Sequence, residues 1–259
     1  RRFPIGPIAA ISPFNFPLHL VSHKLPPAIA AGCPVVLKPA TQTPISALTL
    51  GSIILEAGWP AEALSVLPIN SRDATPLVED ERFKLLTFTG SPSVGWAMKG
   101  RAGRKRVTLE LGGNAGVIIH SDADLAFAAE RCVVGGFSYA GQSCISVQRI
   151  FVQEDVYDAF MDAFVPKVRA LKVGHPLDEA TDLGSVISKD EGERVGAWLA
   201  EARAAGAECL VGGAVRDGVV QPTVVVKAGS VLRVNNHEIF APVVTVQTYK
   251  RFEDGLAAV

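Results

Sequence analysis

Cys144 stands in the run Gly141-Gln142-Ser143-Cys144-Ile145, between an apolar helical pattern and an apolar stretch at 147–152. A cysteine on a tight, glycine-containing loop that opens toward a helix start is placed to ionise. Backbone N–H groups and a helix N-terminus lower a thiol pKa, and the thiolate is the nucleophile. The same residue also reads as a small buried hydrophobe. Glu110, in Leu109-Glu110-Leu111-Gly112-Gly113, puts one carboxylate in an apolar run beside two glycines. Burial there would hold its proton and suit a general base, and the alternative is an exposed strand-end Glu. Asn15, among Pro13, Phe14, Phe16 and Pro17, offers an amide that can donate to an oxyanion or cap the helix that follows.

Three further stretches suit a nucleotide. Thr87-Phe88-Thr89-Gly90-Ser91-Pro92-Ser93-Val94-Gly95 follows a strand pattern and opens a helix. Gly90 and Gly95 let backbone N–H groups approach a diphosphate, Ser91 adds a hydroxyl, and the helix dipole favours the anion. The same glycines also read as an ordinary turn, because the run is not G-x-G-x-x-G. Lys38 falls at the C-terminal end of the strand pattern at 34–37, where open α/β sheets bind ligands, with Thr41 three residues on. In His237-Glu238-Ile239-Phe240-Ala241-Pro242 a carboxylate able to accept both hydroxyls of a ribose lies two residues from an aromatic ring, which equally reads as core.

The elements that must position these groups alternate. Strands are expected at 8–11, 34–37, 64–67, 85–89 and 107–111. Helices fall at 18–31, interrupted by Pro26-Pro27, and at 44–57, with Thr43 as cap and Gly58 as stop. Near-continuous apolar strands separated by helices predict a parallel, doubly wound sheet. A composition shift at Gly112-Gly113 marks a boundary, giving a dinucleotide-binding domain at 1–112 and a catalytic domain at 113–259. The second α/β unit carries strands at 116–119, 147–152, 208–211, 223–226 and 243–248, with helices at 125–137 (capped by Asp124), 156–171 and 189–205.

Bulk properties narrow the function classes. With 259 residues, 48% of them hydrophobic, the chain can build a substantial core, and a net charge of −1 gives no reason to invoke nucleic acid or an acidic membrane. The cluster Arg101, Arg104, Lys105 and Arg106 reads as a solvated turn. Cys33, Cys132, Cys144 and Cys209 show no C-x-x-C spacing, so neither zinc nor disulfides are called for, and a reducing, cytoplasmic setting is expected. Residues 3–19 lack charged side chains and follow Arg1-Arg2, but Pro4, Pro7, Pro13 and Pro17 would break a signal helix. With no initiator Met, the chain is expected to start inside a larger protein, and no transmembrane helix is evident.

Taken together, Pro13-Phe14-Asn15-Phe16-Pro17, Lys38-Pro39-Ala40, Gly90-Ser91 to Gly95, the stretch 109–113, Gly141-Gln142-Ser143-Cys144 and Glu238-Ile239-Phe240 resemble, in order and spacing, the aldehyde dehydrogenase superfamily. The resemblance covers essentially the whole chain, which would form about the middle half of such an enzyme. It implies a Rossmann-like doubly wound domain followed by an α/β catalytic domain. It also implies NAD or NADP as cofactor, a small aldehyde as substrate, and a homo-oligomer, dimer or tetramer. Within it, Cys144 is the nucleophile, Asn15 holds the oxyanion and Glu110 activates the hydrolytic water. Lys38 and Thr41 face the adenosine ribose, Gly90, Ser91 and Gly95 the pyrophosphate, and Leu111, Glu238 and Phe240 complete the cofactor site. The presence of Glu110 argues against a coenzyme-A-acylating member. The phrase at 141–149 is similar to members acting on small aliphatic aldehydes such as lactaldehyde or glycolaldehyde. Two positions depart: Ala241 where the family usually has Gly, and Thr41 where NAD-specific members carry Glu. Two other readings are a non-catalytic nucleotide-binding or structural fragment, and a cofactor-free cysteine esterase needing a His beside Cys144.

Overall fold

A computed structural model describes residues 3–259; Arg1 and Arg2 lie outside the described residues, and so does the part of the N-terminal expectation that rests on them. The chain divides into two compact units, Arg1–Gly112 and Gly113–Val259.

The first unit runs β1 (Ile8–Ile11), α1 (His19–Ser22), α2 (Leu25–Ala30), β2 (Val35–Lys38), α3 (Ile45–Glu56), β3 (Leu64–Val66), α4 (Thr75–Glu79), β4 (Leu85–Thr89), α5 (Pro92–Arg101) and β5 (Arg106–Glu110). Its sheet has the order β3-β2-β1-β4-β5, with every pair parallel. The central strand is apolar on both sides because both sides are covered. Ile8 and Ala10 join Val35 and Leu37 in one core layer with Val21, Leu25 and Ala47. Ala9 and Ile11 join Leu86 and Phe88 in another with Leu77, Val78 and Ala102. Fully burying a side chain such as Leu37 or Leu86 is worth about 1.5–3 kcal/mol. Strand order runs outward in both directions from the β1–β4 pair, which makes a topological switch point at the carboxyl edge.

The interruption expected in the helix at 18–31 is present: two short helices are separated at His23-Lys24, with Pro26 in the first turn of the second, where its missing donor is tolerated. Two details differ from the sequence reading. Thr43 does not cap α3: its hydroxyl donates to the Phe14 carbonyl at 3.2 Å, and the helix opens from Pro44 without a side-chain cap. The basic cluster is only partly solvated, since Arg101 pairs with Glu79 at 2.8 Å and Lys105 donates to the carbonyls of Val78 and Ala102.

The second unit contains β6 (Ala115–Ile119), α6 (Leu125–Phe137), β7 (Val147–Gln153), α7 (Tyr157–Ala170), α8 (Lys189–Ala204), β8 (Glu208–Val211), β9 (Val215–Arg216), β10 (Val219–Val220), β11 (Thr223–Val226), α9 (Arg233–Asn236), β12 (Val243–Tyr249) and α10 (Phe252–Ala258). Asp124 caps α6 as expected, accepting from the Phe127 N–H at 3.0 Å. The main sheet has the order β6-β7-β12-β11-β8, parallel except for β8, which runs antiparallel to β11. A small β9–β10 hairpin stands apart from it. Alternate residues of β11 and β12 feed two cores: Val224, Val226, Val244 and Val246 pack with α6 and α7, while Val225 and Val243 pack with α8 and Ile239. Among the described residues, no helix is long and apolar enough to cross a membrane, and no cluster of three or more His, Cys, Asp or Glu is placed to hold a metal ion.

Candidate functional site

Parallel pairing collects loops at one edge. In the first unit Ile11 pairs with Lys38 and with Phe88, and Thr89 pairs with Glu110. The segments that leave these strands therefore share the carboxyl edge: Ser12 to Asn15 after β1, Lys38 to Thr41 at the end of β2, Gly90 to Gly95 after β4, and Glu110 with Leu111 at the end of β5. Asn15 is buried at 4% exposure, three residues before Leu18, the N-cap residue of α1. Lys38 is buried, its ammonium donates to the Pro39 carbonyl at 3.1 Å, and burial pulls its pKa down. Thr41 is exposed, and its hydroxyl donates to the Gln42 side-chain carbonyl at 3.2 Å. Ser91 is the exposed N-cap residue of the ten-residue α5, yet its side chain makes no bond to the helix. The first-turn N–H groups and the Ser91 hydroxyl are thus left facing outward, a donor set that suits an anion.

The glycines of this edge have packing reasons of their own. A methyl group on Gly95 would come within 2.5 Å of the Leu111 side chain, and one on Gly90 within 2.6 Å of the Phe88 ring. Leu111 thereby presses β5's end against α5. The expectation for Glu110 needs correction. Side chains of β5 alternate in exposure, and Glu110 falls on an exposed position rather than a buried one. A second buried lysine in this unit, besides Lys38, is Lys24, which sequence reading passed over. At 6% exposure it donates to Thr89 Oγ1 at 2.8 Å and Thr87 Oγ1 at 3.2 Å. Burial lowers its pKa to about 8, and the Glu110 charge offsets part of that. The only hint in the sequence is a lysine beside Leu25 inside an apolar helical run.

In the second unit the opposite edge is used. Gly113 precedes β6, Cys144 precedes β7, and Glu238 to Pro242 precede β12; these three strands are adjacent and parallel. Cys144 is half-buried on a turn. No helix begins after it, because the chain passes directly into β7, so the helix-dipole contribution expected for a thiolate is not supplied by the following segment. The turn is entered through three consecutive left-handed residues, Tyr139, Ala140 and Gly141, with φ of 60°, 53° and 67°. Gly141 lies against the Ala241 carbonyl so closely that a methyl group there would stand 2.1 Å from the oxygen. Gln142 is buried and accepts from the Ile187 N–H at 2.8 Å, tying the turn to the segment before α8.

Glu238 is half-buried and accepts from the Gly113 N–H at 3.1 Å; burial raises its pKa, opposed by that bond and by Arg194. Phe240 is half-buried with φ of 50°, a left-handed conformation that costs a non-glycine residue about 1–2 kcal/mol. A methyl group on Gly113 would stand 3.0 Å from the Cys144 carbonyl oxygen, so Gly113 touches both the cysteine turn and the Glu238 loop. Sequence reading missed Gln148, which braces this arrangement from β7. It is buried at 3% exposure, donates to the Gly113 carbonyl at 2.7 Å and accepts from the Ile239 N–H at 2.6 Å.

The first unit is a doubly wound, Rossmann-like parallel sheet, and the second is an α/β unit that carries a cysteine on the turn before its second strand. The aldehyde dehydrogenase family model matches residues 1–259, and the chain belongs to that family. It is 44% identical to 3-sulfolactaldehyde dehydrogenase of Priestia aryabhattai over all of this chain and 54% of that protein. Among solved structures, aldehyde dehydrogenase 21 of Physcomitrella patens, in complex with its reaction product succinate, matches with a TM-score of 0.95 at 46% identity, covering 98% of this chain and 53% of that one. Betaine aldehyde dehydrogenase of Staphylococcus aureus, in complex with NAD+, matches with a TM-score of 0.94 at 30% identity, covering 98% and 52%. The chain spans about half the length of the curated relatives it matches.

Proposed function

We propose that this chain supplies the cofactor edge and the nucleophile of an NAD(P)-dependent aldehyde dehydrogenase that converts a short aldehyde to its carboxylic acid. The observation that carries the reading is the assembly of Cys144, Gly113 and Glu238 at the amino edge of β6, β7 and β12, with Gly113 in contact with the other two. Family membership supports the reaction class. The likeness to enzymes named for 3-sulfolactaldehyde and crystallised with succinate favours a short aldehyde carrying an anionic or hydroxylated tail.

In this reading the Cys144 thiolate adds to the aldehyde carbon. The Asn15 amide donates to the developing oxyanion, an interaction worth roughly 3–4 kcal/mol in comparable sites. Glu238 and Phe240 would hold the nicotinamide, which would supply the hydride acceptor needed to oxidise the carbon bound to Cys144 to the thioester. Glu110 then takes a proton from water, which adds to the thioester carbon, and Cys144 leaves as thiolate. An exposed carboxylate is accessible to that water. Glu238 accepts hydrogen bonds from the nicotinamide ribose, and Phe240 provides an apolar wall. The α5 N-terminus and Ser91 receive the pyrophosphate, with Lys38 and Thr41 toward the adenosine ribose. Thr41 is neutral and does not repel a 2′-phosphate, so both NAD and NADP are used.

The test is aldehyde-dependent absorbance at 340 nm with both cofactors, on the 259-residue chain and on a chain of the relatives' full length that contains it. Turnover that Cys144→Ala abolishes supports the reading. Cofactor binding by both chains without turnover would favour a nucleotide-binding module instead. Turnover in Cys144→Ala would end the assignment.

A further inference from the structure

Gln148 is a polar side chain with nowhere to go except its two partners. It sits on β7, whose neighbours β6 and β12 flank it, and it is 97% shielded from solvent. Its amide spans the sheet crosswise: Nε2 donates to the Gly113 carbonyl and Oε1 accepts from the Ile239 N–H. One partner is an acceptor and the other a donor, so the network fixes the orientation of the amide and admits no flipped alternative. Both clamped residues adjoin the groups assigned to cofactor binding and nucleophilic attack. Ile239 lies between Glu238 and the left-handed Phe240, and its carbonyl is held from the other side by Arg194 at 2.6 Å. Gly113 donates to the Glu238 carboxylate and lies against the Cys144 carbonyl.

We propose that Gln148 is a positioning residue: its amide fixes the spacing between Gly113 and Ile239 and so presents the Glu238 carboxylate and the Phe240 ring to the nicotinamide ribose. This rests on the reading of Glu238 and Phe240 given above. The clamp counteracts the backbone strain at Phe240, which relaxes once the Ile239 N–H loses its acceptor. Without Gln148, the buried Ile239 N–H and the half-buried Gly113 carbonyl lose their partner, and the Glu238 loop drifts from Gly113. The effect is read first on the cofactor, because the Ile239 end of the clamp lies on the Glu238 loop, while the Gly113 end meets Cys144 at its backbone carbonyl.

Two variants test this. Gln148→Met keeps the volume and removes both bonds. Gln148→Glu keeps the acceptor for Ile239 but loses the donor to Gly113 whenever it is ionised; protonated, it restores both bonds. The measurements are the NADH dissociation constant by fluorescence titration between pH 6 and 8.5, and steady-state KM for cofactor and aldehyde, in the full-length protein. Gln148→Met should raise the NADH dissociation constant about tenfold, equivalent to about 1.4 kcal/mol, and leave the aldehyde KM within about twofold. Gln148→Glu should approach wild-type binding as pH falls and lose it as pH rises. Glu238, Arg194, Arg149 and the Cys144 thiol, the charged and titratable groups beside the clamp, are common to both proteins, so the ratio to wild type at each pH isolates position 148. Wild-type cofactor affinity in Gln148→Met, or a Gln148→Glu ratio that is flat with pH, overturns the proposal while leaving the dehydrogenase reading intact. A wild-type protein that binds no nicotinamide cofactor overturns both. If Gln148→Met does not fold, the pH profile of Gln148→Glu alone decides.

Discussion

Gly141→Ala tests how the cysteine turn is held. Two costs add at this position. Its φ of 67° is a left-handed conformation that costs an L residue about 1–2 kcal/mol. The new methyl carbon would also stand 2.1 Å from the Ala241 carbonyl oxygen, 2.3 Å from its carbon and 2.8 Å from the Pro242 nitrogen. These are backbone atoms at the entrance to β12, so no side chain can swing away, and overpacking of this kind adds about 1–3 kcal/mol. Gly206, at the end of α8, is the control: its φ is 93°, and nothing lies within 4 Å of an added methyl group. Gly206→Ala should therefore show the strain alone. Urea unfolding of the two variants should place Gly141→Ala below Gly206→Ala by about 1–3 kcal/mol. The rate of Cys144 alkylation by iodoacetamide should change in the first variant and not in the second. Equal stabilities with unchanged alkylation in both would refute the claim that Gly141 seats the cysteine turn on Ala241.

Lys24 gives a pH signature. Its folded pKa of about 8 lies below the ordinary 10.5, so between those values the unfolded chain binds more protons and stability rises with pH. The rise attributable to this residue is about 3 kcal/mol across that window, with none below or above it. Lys24→Met should flatten it in urea melts at pH 7.5 and 10, and an identical slope in the two proteins would contradict the burial argument. Thr41→Glu should lower the ratio of kcat/KM for NADP over NAD at least tenfold, because a hydrogen bond to a charged group is worth about 1.5–3 kcal/mol; an unmoved ratio means Thr41 does not face the ribose. Glu110→Gln should give a full burst of reduced cofactor in stopped flow and then a steady state slower by about 100- to 10,000-fold; an unchanged steady state removes Glu110 from the mechanism.

Local rules located the elements that local rules build. Asp124 caps α6, Ser91 precedes Pro92 at the start of α5, and the apolar strands of the first sheet pair in the doubly wound order that alternation with helices predicts. The β9–β10 hairpin went unread, although Asp217-Gly218 is a turn signal and both residues adopt positive φ. What could not be read depends on pairing across the sheet. Thr43 serves Phe14, twenty-nine positions away, instead of its own helix. Glu110 is exposed because the pleat of β5, fixed by its pairing with β4, sets its face. The strand after Cys144 was legible at 147–152, but its pairing with β12, which sets Arg149 opposite Thr245, was not. Gln148 looked like a polar position in an apolar strand, and its partners lie 35 and 91 residues away.

The central claim is that Cys144 carries the substrate as a thioester. The most direct measurement mixes the Glu110→Gln protein with an aldehyde and NAD, quenches it in acid within the burst, and maps peptides by mass spectrometry. An acyl group of the substrate's mass on the peptide containing Cys144, absent when cofactor is omitted, is the predicted result. An acyl group on Cys33, Cys132 or Cys209, or a full burst of reduced cofactor with no acylated peptide at all, would contradict it.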